Sequence, residues 1–263
     1  MNKYTKTYTI TLYDTNARTL RLRPISAIMY FQETFARYCA SRKMAGYDLI
    51  LKNQIWVISE INMEIVGDLP FWSEEFKVEI WFSDISKIKA YADFNIYYKD
   101  NVIAKGNIMY ILLNATTRRP VKTDELLSKF EVCNELALGE HTKMVLPQIT
   151  EQYTKIAHTN SSADIDFNKH VNNKVYINLA EMGVPEEFKQ THALKSIRIR
   201  FNRETFLGDT LQCTAYKTAL PDTYAHIIEK DGISVCDIIT SWKEHKENVN
   251  IVDYDLDIRK ENK

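Results

Sequence analysis

Cysteine is scarce in this chain, and the spacing of its thiols excludes two common roles. The 263 residues include four cysteines, Cys39, Cys133, Cys213 and Cys236, and no two of them are close in sequence. Zinc sites and small disulfide frameworks are recognised by closely spaced pairs. We therefore expect four free thiols in a reducing compartment, with no disulfide frame and no metal centre.

Glycine is also scarce, with seven residues that form no cluster. Phosphate-cradling loops and dinucleotide fingerprints both depend on closely spaced glycines. The sequence contains neither motif, and we expect no cofactor.

The chain lacks excess charge and long apolar runs. Its formal net charge is −1, whereas nucleic-acid-binding proteins are usually strongly basic. No apolar run approaches the ~20 residues that span a bilayer. The first residues, Met1–Lys6, resemble neither a signal peptide nor a transit segment. These absences predict a cytoplasmic protein that has neither nucleic acid nor a membrane as its partner.

The most informative stretch that is present is a polar segment, residues 164–173. If the segment is extended, Asp166, Asn168 and His170 lie on one face, because side chains alternate along a strand. A carboxylate, an amide and an imidazole would then converge. The same residue types are common in loops and at helix N-termini, and this purely structural explanation stays open at this point.

Helical periodicity begins directly after this segment. Apolar residues recur at helical spacing, and Gly183 and Pro185 supply a stop, so we predict a buried helix over 170–183. Its inner face consists of Val171, Val175, Leu179 and Met182. Unpaired N–H groups at a helix N-terminus can hold an oxyanion, and a nearby carboxylate can attack or activate water. The combination favours acyl transfer or ester hydrolysis.

A longer helix is predicted over 24–45, between Pro24 in the first turn and a stop at Gly46. Its inner face consists of Ile25, Ile28, Met29, Gln32, Phe35, Ala36 and Cys39. Gln32 is the polar residue on that face. A core amide bonded to the backbone is the favoured interpretation, and a catalytic role is the alternative.

Period-two alternation elsewhere predicts antiparallel strands, beginning with a short strand over 8–13. A short helix from Thr123 to about Ala137 and an extended linker over 143–149 separate two halves. Each half has a strand, a long helix and several strands, and hairpin tips at 99–101 and 230–232 correspond. We therefore predict an α+β fold in which two long helices are each wrapped by a curved antiparallel sheet.

Five short motifs occur in order along nearly the whole chain, from about Tyr4 to His245. They are Phe31-Gln32-Glu33-Thr34, Trp56-Val57, Pro70-x-Trp72, Asn114-x-x-Thr117-Arg118-Arg119-Pro120 and Asp166-x-Asn168-x-His170-Val171-Asn172-Asn173-x-x-Tyr176. Together they resemble the acyl-ACP thioesterases of plants and bacteria, which are built from two hotdog folds in tandem. The last motif also occurs, in degenerate form, in single-hotdog acyl-CoA thioesterases.

The resemblance implies hydrolysis of a fatty acyl thioester on acyl carrier protein, which gives free fatty acid and holo-carrier. It implies that Asp166, Asn168, His170 and Glu204 form the active site. Thr205 stands where many plant relatives have a cysteine, which leaves the carboxylates as the strong candidates for the attacking group. We expect one of two routes: Asp166 attacks the carbonyl and Glu204 activates water to resolve the resulting anhydride, or one of the two carboxylates activates water for direct attack.

At the start of the second helix, we expect backbone N–H groups around Val171, Asn172 and Asn173 to hold the carbonyl oxygen.

The resemblance also divides the chain into an N-terminal hotdog (1–135), a linker (136–149), a catalytic C-terminal hotdog (150–248) and a charged tail (249–263). The first half contains an echo, Asp14-x-Asn16-x-Arg18, that lacks the histidine. We interpret the echo as a strand-end loop and the first half as non-catalytic, with an interior that holds the acyl chain. The residues expected to bind substrate there are Met29, Gln32, Phe35, Phe94 and Ile96. For the four apolar residues, solid core packing is the alternative.

Acyl carrier protein is acidic, so its docking surface should be basic. Two clusters are candidates: Arg118, Arg119 and Lys122, and Arg198, Arg200 and Arg203. Ordinary solvated charge is the alternative for both.

Competing functions are an acyl-CoA thioesterase, a non-catalytic acyl-binding protein and a hotdog dehydratase. A tandem fold is compatible with a monomer or a homodimer.

Overall fold

The structure, a computed structural model, describes residues 3–245. The predicted tail at 249–263 lies outside the described residues. The strands are Tyr4–Thr9 (β1), Gln54–Ile65 (β2), Glu75–Ile85 (β3), Lys89–Tyr98 (β4), Asn101–Asn114 (β5), Ile149–Thr159 (β6), His192–Phe201 (β7), Thr210–Thr218 (β8), Thr223–Lys230 (β9) and Ile233–Glu244 (β10). The α-helices are Pro24–Ala40 (α1), Gly46–Ile50 (α2), Asp124–Lys129 (α3), Asn173–Met182 (α4) and Glu186–Thr191 (α5).

One sheet of ten strands runs through both halves, in the order β1-β3-β4-β5-β2-β7-β10-β9-β8-β6. The halves join where β2 and β7 pair antiparallel, with Glu60 opposite Arg200 and Met63 opposite Ile197. Helix α1 packs against β1 and β3, α4 packs against β8 and β10, and the two helices contact each other. The predicted α+β class, with a long helix against antiparallel strands in each half, is confirmed.

The two hairpin tips have the backbone that their sequences predict. Lys99 and Asp100 have φ values of 48° and 62°, and Asp231 and Gly232 have values of 52° and 75°. Two consecutive residues with positive φ match the right-handed twist of the paired strands, which is why Asp and Gly are common there.

The segments that lead into α1 and α4 repeat the same backbone hydrogen bonds. Asn16 N donates to Arg21 O over 2.8 Å, and Asp166 N donates to His170 O over 2.8 Å. Each segment follows a single 3-10 turn, Leu12–Asp14 or Ser162–Asp164. In the first-half echo, Asn16 therefore corresponds to Asp166 and Arg21 to His170.

The residues directly before the two helices extend this correspondence. Arg23 and Asn172 each donate their N–H over 2.8 Å to the last residue of the preceding 3-10 turn. Pro24 and Asn173 are then equivalent first residues of α1 and α4. The chain thus contains two copies of one turn-and-helix unit with different side chains.

Aromatic side chains fill the core of the first half. Phe31 stacks on Phe94 at a ring-centroid distance of 3.9 Å, and Phe35 stacks on Tyr110 at 3.8 Å. These buried rings come from α1 on one side and from β4 and β5 on the other, so they fix the helix on the sheet. Within 3–245, no helix is both long and apolar enough to cross a membrane.

Helix α1 ends at Ala40, and the predicted end at 45 is wrong. Met44 N donates to Cys39 O, Lys43 N donates to Ala40 O, and Lys43 has a φ of 57°. This pair of bonds around a left-handed residue is a Schellman motif, which usually signals itself by a glycine. Lys43 gives no such signal, and Gly46 begins α2 where a stop was predicted.

Other predicted boundaries also differ. Helix α3 ends at Lys129 because the next residue, Phe130, turns into extended backbone and is buried in the core. Helix α4 begins at Asn173, three residues after the predicted start at 170. Its last residue, Met182, was predicted on the inner face but is 62% exposed, because the buried face of the helix includes Tyr176 and Ala180 instead. Strand β1 covers 4–9 where 8–13 was predicted, since residues 12–14 form the 3-10 turn.

Candidate active site

The polar segment before α4 is a turn, and the extended conformation predicted for it is wrong. One oxygen of the Asp166 carboxylate, Oδ1, accepts the N–H groups of Asn168 at 2.8 Å and His170 at 3.2 Å. Lys169 has a φ of 65°, which closes the turn. An aspartate side chain that bonds to backbone N–H groups two and four residues ahead competes with strand formation.

The four predicted active-site residues line one cleft of about 730 Å³. Asp166, Asn168 and His170 enter it from the turn before α4, and Glu204 enters it from the loop after β7. All four are partly buried. The structure thus brings together two carboxylates, an amide and an imidazole.

Arg118 reaches the same cleft from the loop after β5, in the first half of the chain. Its guanidinium contacts the Glu204 carboxylate, and that carboxylate lies 3.7 Å from His170 Nδ1. A cation in contact with a carboxylate favours its charged form. The charged group of Arg118 thus faces Glu204, and its role in a docking surface stays a prediction. Nothing in the local pattern predicts this contact between the two halves, although Arg118 is part of one of the resembling motifs.

The surroundings of His170 favour its neutral imidazole. Burial lowers its pKa below the usual 6.5, the positive charge of Arg118 lowers it further, and the negative charge of Asp166 offsets part of the shift. With the imidazole neutral, Arg118 is the cation in contact with the Glu204 carboxylate.

The three backbone groups predicted to hold the carbonyl oxygen are not equivalent. Val171 N donates to Thr205 O at 3.0 Å, and Asn172 N donates to Asp164 O at 2.8 Å. Both groups are already occupied, so their predicted role does not fit the structure. Asn173 N, the first N–H of α4, has no hydrogen-bond partner among the residues that the structure describes, and Asn173 lines the cleft.

Thr205 follows Glu204 in the sequence, is fully buried, and contacts α4. Its hydroxyl lies 2.6 Å from the hydroxyl of Tyr176, and its carbonyl receives the N–H of Val171. Burial raises the pKa of Tyr176 to about 12, so the phenol stays protonated. The contact ties the loop that carries Glu204 to α4.

Away from the charged residues, the cleft has an apolar wall built by the first half. The side chains of this wall are Phe35, Ala36, Cys39, Trp56, Tyr110 and Leu113. Trp56 is held by a hydrogen bond from its ring nitrogen to Met44 O at 3.1 Å. Trp56 was recognised as a motif residue, but its place in the cleft depends on packing that the sequence pattern does not specify.

The five residues predicted to bind substrate separate into two groups. Gln32 and Phe35 line the cleft. Met29, Phe94 and Ile96 do not line it; Phe94 and Ile96 have no exposed surface and Met29 packs against the core. For these three, the structure favours the alternative of core packing, because strands β3 and β5 flank β4 and α1 covers its inner face.

Two arginines of the second predicted docking cluster have structural contacts. Arg198 donates to Asn62 Oδ1 at 2.9 Å and to Thr142 O at 2.8 Å. Arg200 pairs with Asp237 at 2.7 Å and donates to Met144 O. They fasten the segment around 142–144 to the sheet. Of this cluster, Arg203 remains exposed and lies at the cleft.

Comparison with protein families gives two matches that together cover most of the chain. A model described as the acyl-ACP thioesterase N-terminal domain matches residues 1–130, and one described as the acyl-ACP thioesterase C-terminal domain matches residues 148–244. The chain is 27% identical over 208 residues to oleoyl-acyl carrier protein thioesterase 2, chloroplastic, of Arabidopsis thaliana, which covers 74% of this chain and 55% of the relative. It is 29% identical over 162 residues to the chloroplastic oleoyl-acyl carrier protein thioesterase of Coriandrum sativum, and this match covers 57% of this chain and 44% of the relative. The chain thus spans about half the length of the curated relatives it matches.

Solved structures share the fold over almost the whole chain. An acyl-ACP thioesterase from Bacteroides thetaiotaomicron has a TM-score of 0.81 at 20% identity and covers 92% of this chain and 98% of its own. A 12:0-ACP thioesterase from Umbellularia californica has a TM-score of 0.80 at 18% identity, and the match covers 93% of this chain and 98% of the Umbellularia chain. The predicted tandem hotdog fold is confirmed.

Proposed function

Because the chain belongs to the acyl-ACP thioesterase family, we propose that it hydrolyses fatty acyl-ACP to free fatty acid and holo-ACP, which ends acyl chain elongation. The observation that carries this proposal is the composition of one cleft. Its charged end holds Asp166 and Glu204 with His170, and its other end is an apolar wall that includes Phe35 and Trp56. An acyl thioester needs both, since its carbonyl must be attacked while its alkyl chain is kept out of water.

The reaction moves the acyl group from sulfur to a water oxygen. A C–O bond forms, the C–S bond breaks, and the departing thiolate keeps the electron pair and takes up the proton that water loses. A thiol with a pKa of about 8.5 leaves readily, so little acid assistance is needed. The demands on the protein are an attacking group and stabilisation of the negative charge on the carbonyl oxygen.

Two routes use the same residues. In the first, the Asp166 carboxylate attacks the carbonyl, expels the thiolate and forms a mixed anhydride, which water activated by Glu204 then hydrolyses. In the second, one of the two carboxylates removes a proton from water, which attacks the thioester directly. Asp166 Oδ1 is held by two N–H groups, which fixes the carboxylate and leaves its second oxygen for the reaction.

In both routes, Asn168 and His170 orient the carboxylate and the substrate, and the neutral form of His170 is the active one. A protonated His170 would lie 3.7 Å from Glu204 as a second cation and would hold that carboxylate away from water. The lowered pKa of His170 disfavours this form at neutral pH.

The division of labour between the halves is part of the proposal. Residues 150–248 supply the catalytic groups, and residues 1–135 supply the apolar wall that receives the acyl chain, with 136–149 as the linker. The fully buried thiols of Cys39, Cys213 and Cys236 suit a reducing compartment, which supports a cytoplasmic location.

The direct test is a comparison of substrates. Purified protein is incubated with acyl-ACP and acyl-CoA of the same chain lengths, and released thiol and free fatty acid are measured. We expect a higher kcat/KM for acyl-ACP than for acyl-CoA. Equal or greater turnover of acyl-CoA would replace the proposal with an acyl-CoA thioesterase, and no turnover of either would leave a non-catalytic binder.

A matched pair of variants tests the role of Asp166. Asp166→Asn keeps an oxygen that can accept the two N–H groups but removes the charge, so we expect kcat to fall ~10²–10⁴-fold. Asn16→Asp makes the reverse exchange at the equivalent position of the first half, and its activity should equal that of the wild type. Near-normal turnover by Asp166→Asn would contradict both routes, and mass spectrometry of a single turnover would distinguish them by the presence of an acylated Asp166.

A further inference from the structure

The oxyanion site needs more than one donor, and one N–H at the start of α4 is free to serve. Asn173 N meets this description, whereas Val171 N and Asn172 N are engaged in backbone bonds. The internal repeat of the chain shows where a second donor lies.

The repeat relates a residue in the middle of α1 to one near the end of α4. Pro24 and Asn173 are equivalent first residues, so Gln32 and Glu181, at the same distance along each helix, are equivalent as well. Gln32 and Glu181 line two different cavities, and each cavity also contains the first residue of the helix to which the other residue belongs. Gln32 lines the cleft with Asn173, and Glu181 lines a second cavity of about 530 Å³ with Pro24.

Glu181, which lines that second cavity, also contacts the residue that precedes α1. Arg23, the residue before α1, places its Nη2 2.7 Å from Glu181 Oε2 of α4. In the other copy, Gln32 lines the same cleft as Asn173, the first residue of α4.

The side-chain amide of Gln32 has an unpaired hydrogen-bond donor. Its Nε2 is buried and has no hydrogen-bond partner among residues 3–245. A buried N–H₂ group without a partner is costly in a folded protein unless a ligand uses it. The core amide bonded to backbone, favoured from the sequence, is therefore not what the structure contains.

We propose that Gln32 Nε2, from the first half, and Asn173 N, from the second, together hold the carbonyl oxygen of the bound thioester. The inference rests on the proposed function. It makes the active site a joint product of both halves, with the attacking group from the second half and one oxyanion donor from the first. The two donors strengthen their hydrogen bonds as negative charge develops on the oxygen.

The second cavity lacks each of these features, which agrees with a single active site. Pro24 has no N–H where Asn173 has one, Glu181 has an acceptor where Gln32 has a donor, and Asn16 stands in place of Asp166. The second cavity therefore lacks the equivalents of both proposed donors and of the Asp166 carboxylate.

The test uses two variants of Gln32 of similar size. Gln32→Met removes the donor and Gln32→Glu replaces it by an acceptor. We expect kcat on acyl-ACP to fall ~10²–10³-fold for Gln32→Met and further for Gln32→Glu, with little change in KM. Glu181→Gln, at the equivalent position, should leave kcat unchanged. Full kcat in both Gln32 variants would overturn the inference.

A spectroscopic measurement separates direct contact from a structural role. Acyl-ACP labelled with ¹³C at the thioester carbonyl is bound to Asp166→Asn, and the carbonyl stretch is recorded by infrared difference spectroscopy. We expect a shift to lower frequency that shrinks when Gln32→Met is added. An identical stretch with and without Gln32 would overturn the inference. A wild-type protein that does not hydrolyse acyl-ACP would instead refute the proposed function, so the two failures are distinguishable.

Discussion

At the scale of single residues, Arg118 controls the charge of the cleft from the opposite half of the chain. Its guanidinium contacts Glu204 and lowers the pKa of His170. A residue that touches one carboxylate and shifts the pKa of a neighbouring imidazole sets the pH range over which both have the charge that the mechanism needs.

We expect Arg118→Met to raise the pKa of His170. The substitution removes a positive charge and leaves the Glu204 carboxylate 3.7 Å from the imidazole, and both effects favour the protonated form. Under the proposed mechanism, in which the neutral imidazole is the active form, the acid limb of the kcat/KM profile should move to higher pH. Arg119→Met, at the adjacent exposed position, is the control. An acid limb in the same place for Arg118→Met would contradict this role.

The sequence predicted which residue types form the cleft but not all of their contacts. Asp166, Asn168 and His170 occur within five positions, so almost any local conformation would keep them close, even though the predicted strand is a turn. Arg118 meets Glu204 only because β2 pairs with β7 and joins the halves. Such a contact has no local signature, and it was therefore missed.

At the scale of helices and strands, Gly106 shows how tightly β5 is packed. It lies opposite Phe94 of β4, and a Cβ atom on Gly106 would lie 2.1 Å from Asn62 O and 2.6 Å from the Phe94 ring. A backbone oxygen in a central strand cannot move away without breaking the sheet.

We expect Gly106→Ala to lower the free energy of unfolding by about 3 kcal/mol or more, at the upper end of the cost of overpacking. Gly46→Ala is the matched control, because a Cβ atom there has no atom within 4 Å and the expected change is within about 0.5 kcal/mol. Urea unfolding of both variants measures the difference. Equal stabilities would show that β5 can shift, contrary to this account.

Strand β9 carries a buried histidine that makes stability depend on pH. His226 is fully buried with its Nε2 3.0 Å from Thr240 Oγ1, and burial lowers its pKa to about 3. The folded state therefore keeps His226 neutral, whereas the unfolded chain takes up a proton near pH 6.5. Stability from this group is complete above pH 6.5 and is lost as the pH falls towards about 3.

The expected loss is about 2 kcal/mol between pH 7 and pH 5, since each pH unit below 6.5 costs about 1.4 kcal/mol. His226→Gln removes the titrating group, so its free energy of unfolding should change by about 2 kcal/mol less over the same interval. Urea unfolding at the two pH values measures this. The same pH dependence in both proteins would contradict the assignment to His226.

The sequence predicted helices and strands best where periodicity and turn residues agree. Both hairpin tips lie where they were predicted. The end of α1 was missed because its left-handed residue is Lys43, and the turn at 166–170 was missed because the Asp166 carboxylate replaces the bonds of a strand. Both errors arise where individual side chains override the average pattern.

At the scale of the whole molecule, the contact between Arg118 and Glu204 also locates the rim of the cleft. Arg119 follows Arg118 in the sequence, and Arg203 precedes Glu204. Both arginines are exposed and adjoin the two residues of this contact. Exposed Lys169 and Lys174 lie on either side of the start of α4. Each of these four exposed basic residues lines the cleft or is next in sequence to a residue that does, and we call them its basic rim. The net charge of the whole chain is −1.

A basic rim around the entrance predicts how the substrate carrier docks. An acidic carrier gains from this field mainly in its association rate, and the gain is screened by salt. We expect Arg203→Glu to raise KM for acyl-ACP about tenfold at low ionic strength, while KM for a small chromogenic acyl thioester stays the same because that substrate has no acidic surface. Lys6→Glu, an equal change of charge on exposed β1, should leave both values unchanged. If Arg203→Glu and Lys6→Glu raise KM for acyl-ACP equally, the effect comes from net charge, and the carrier does not dock at this rim.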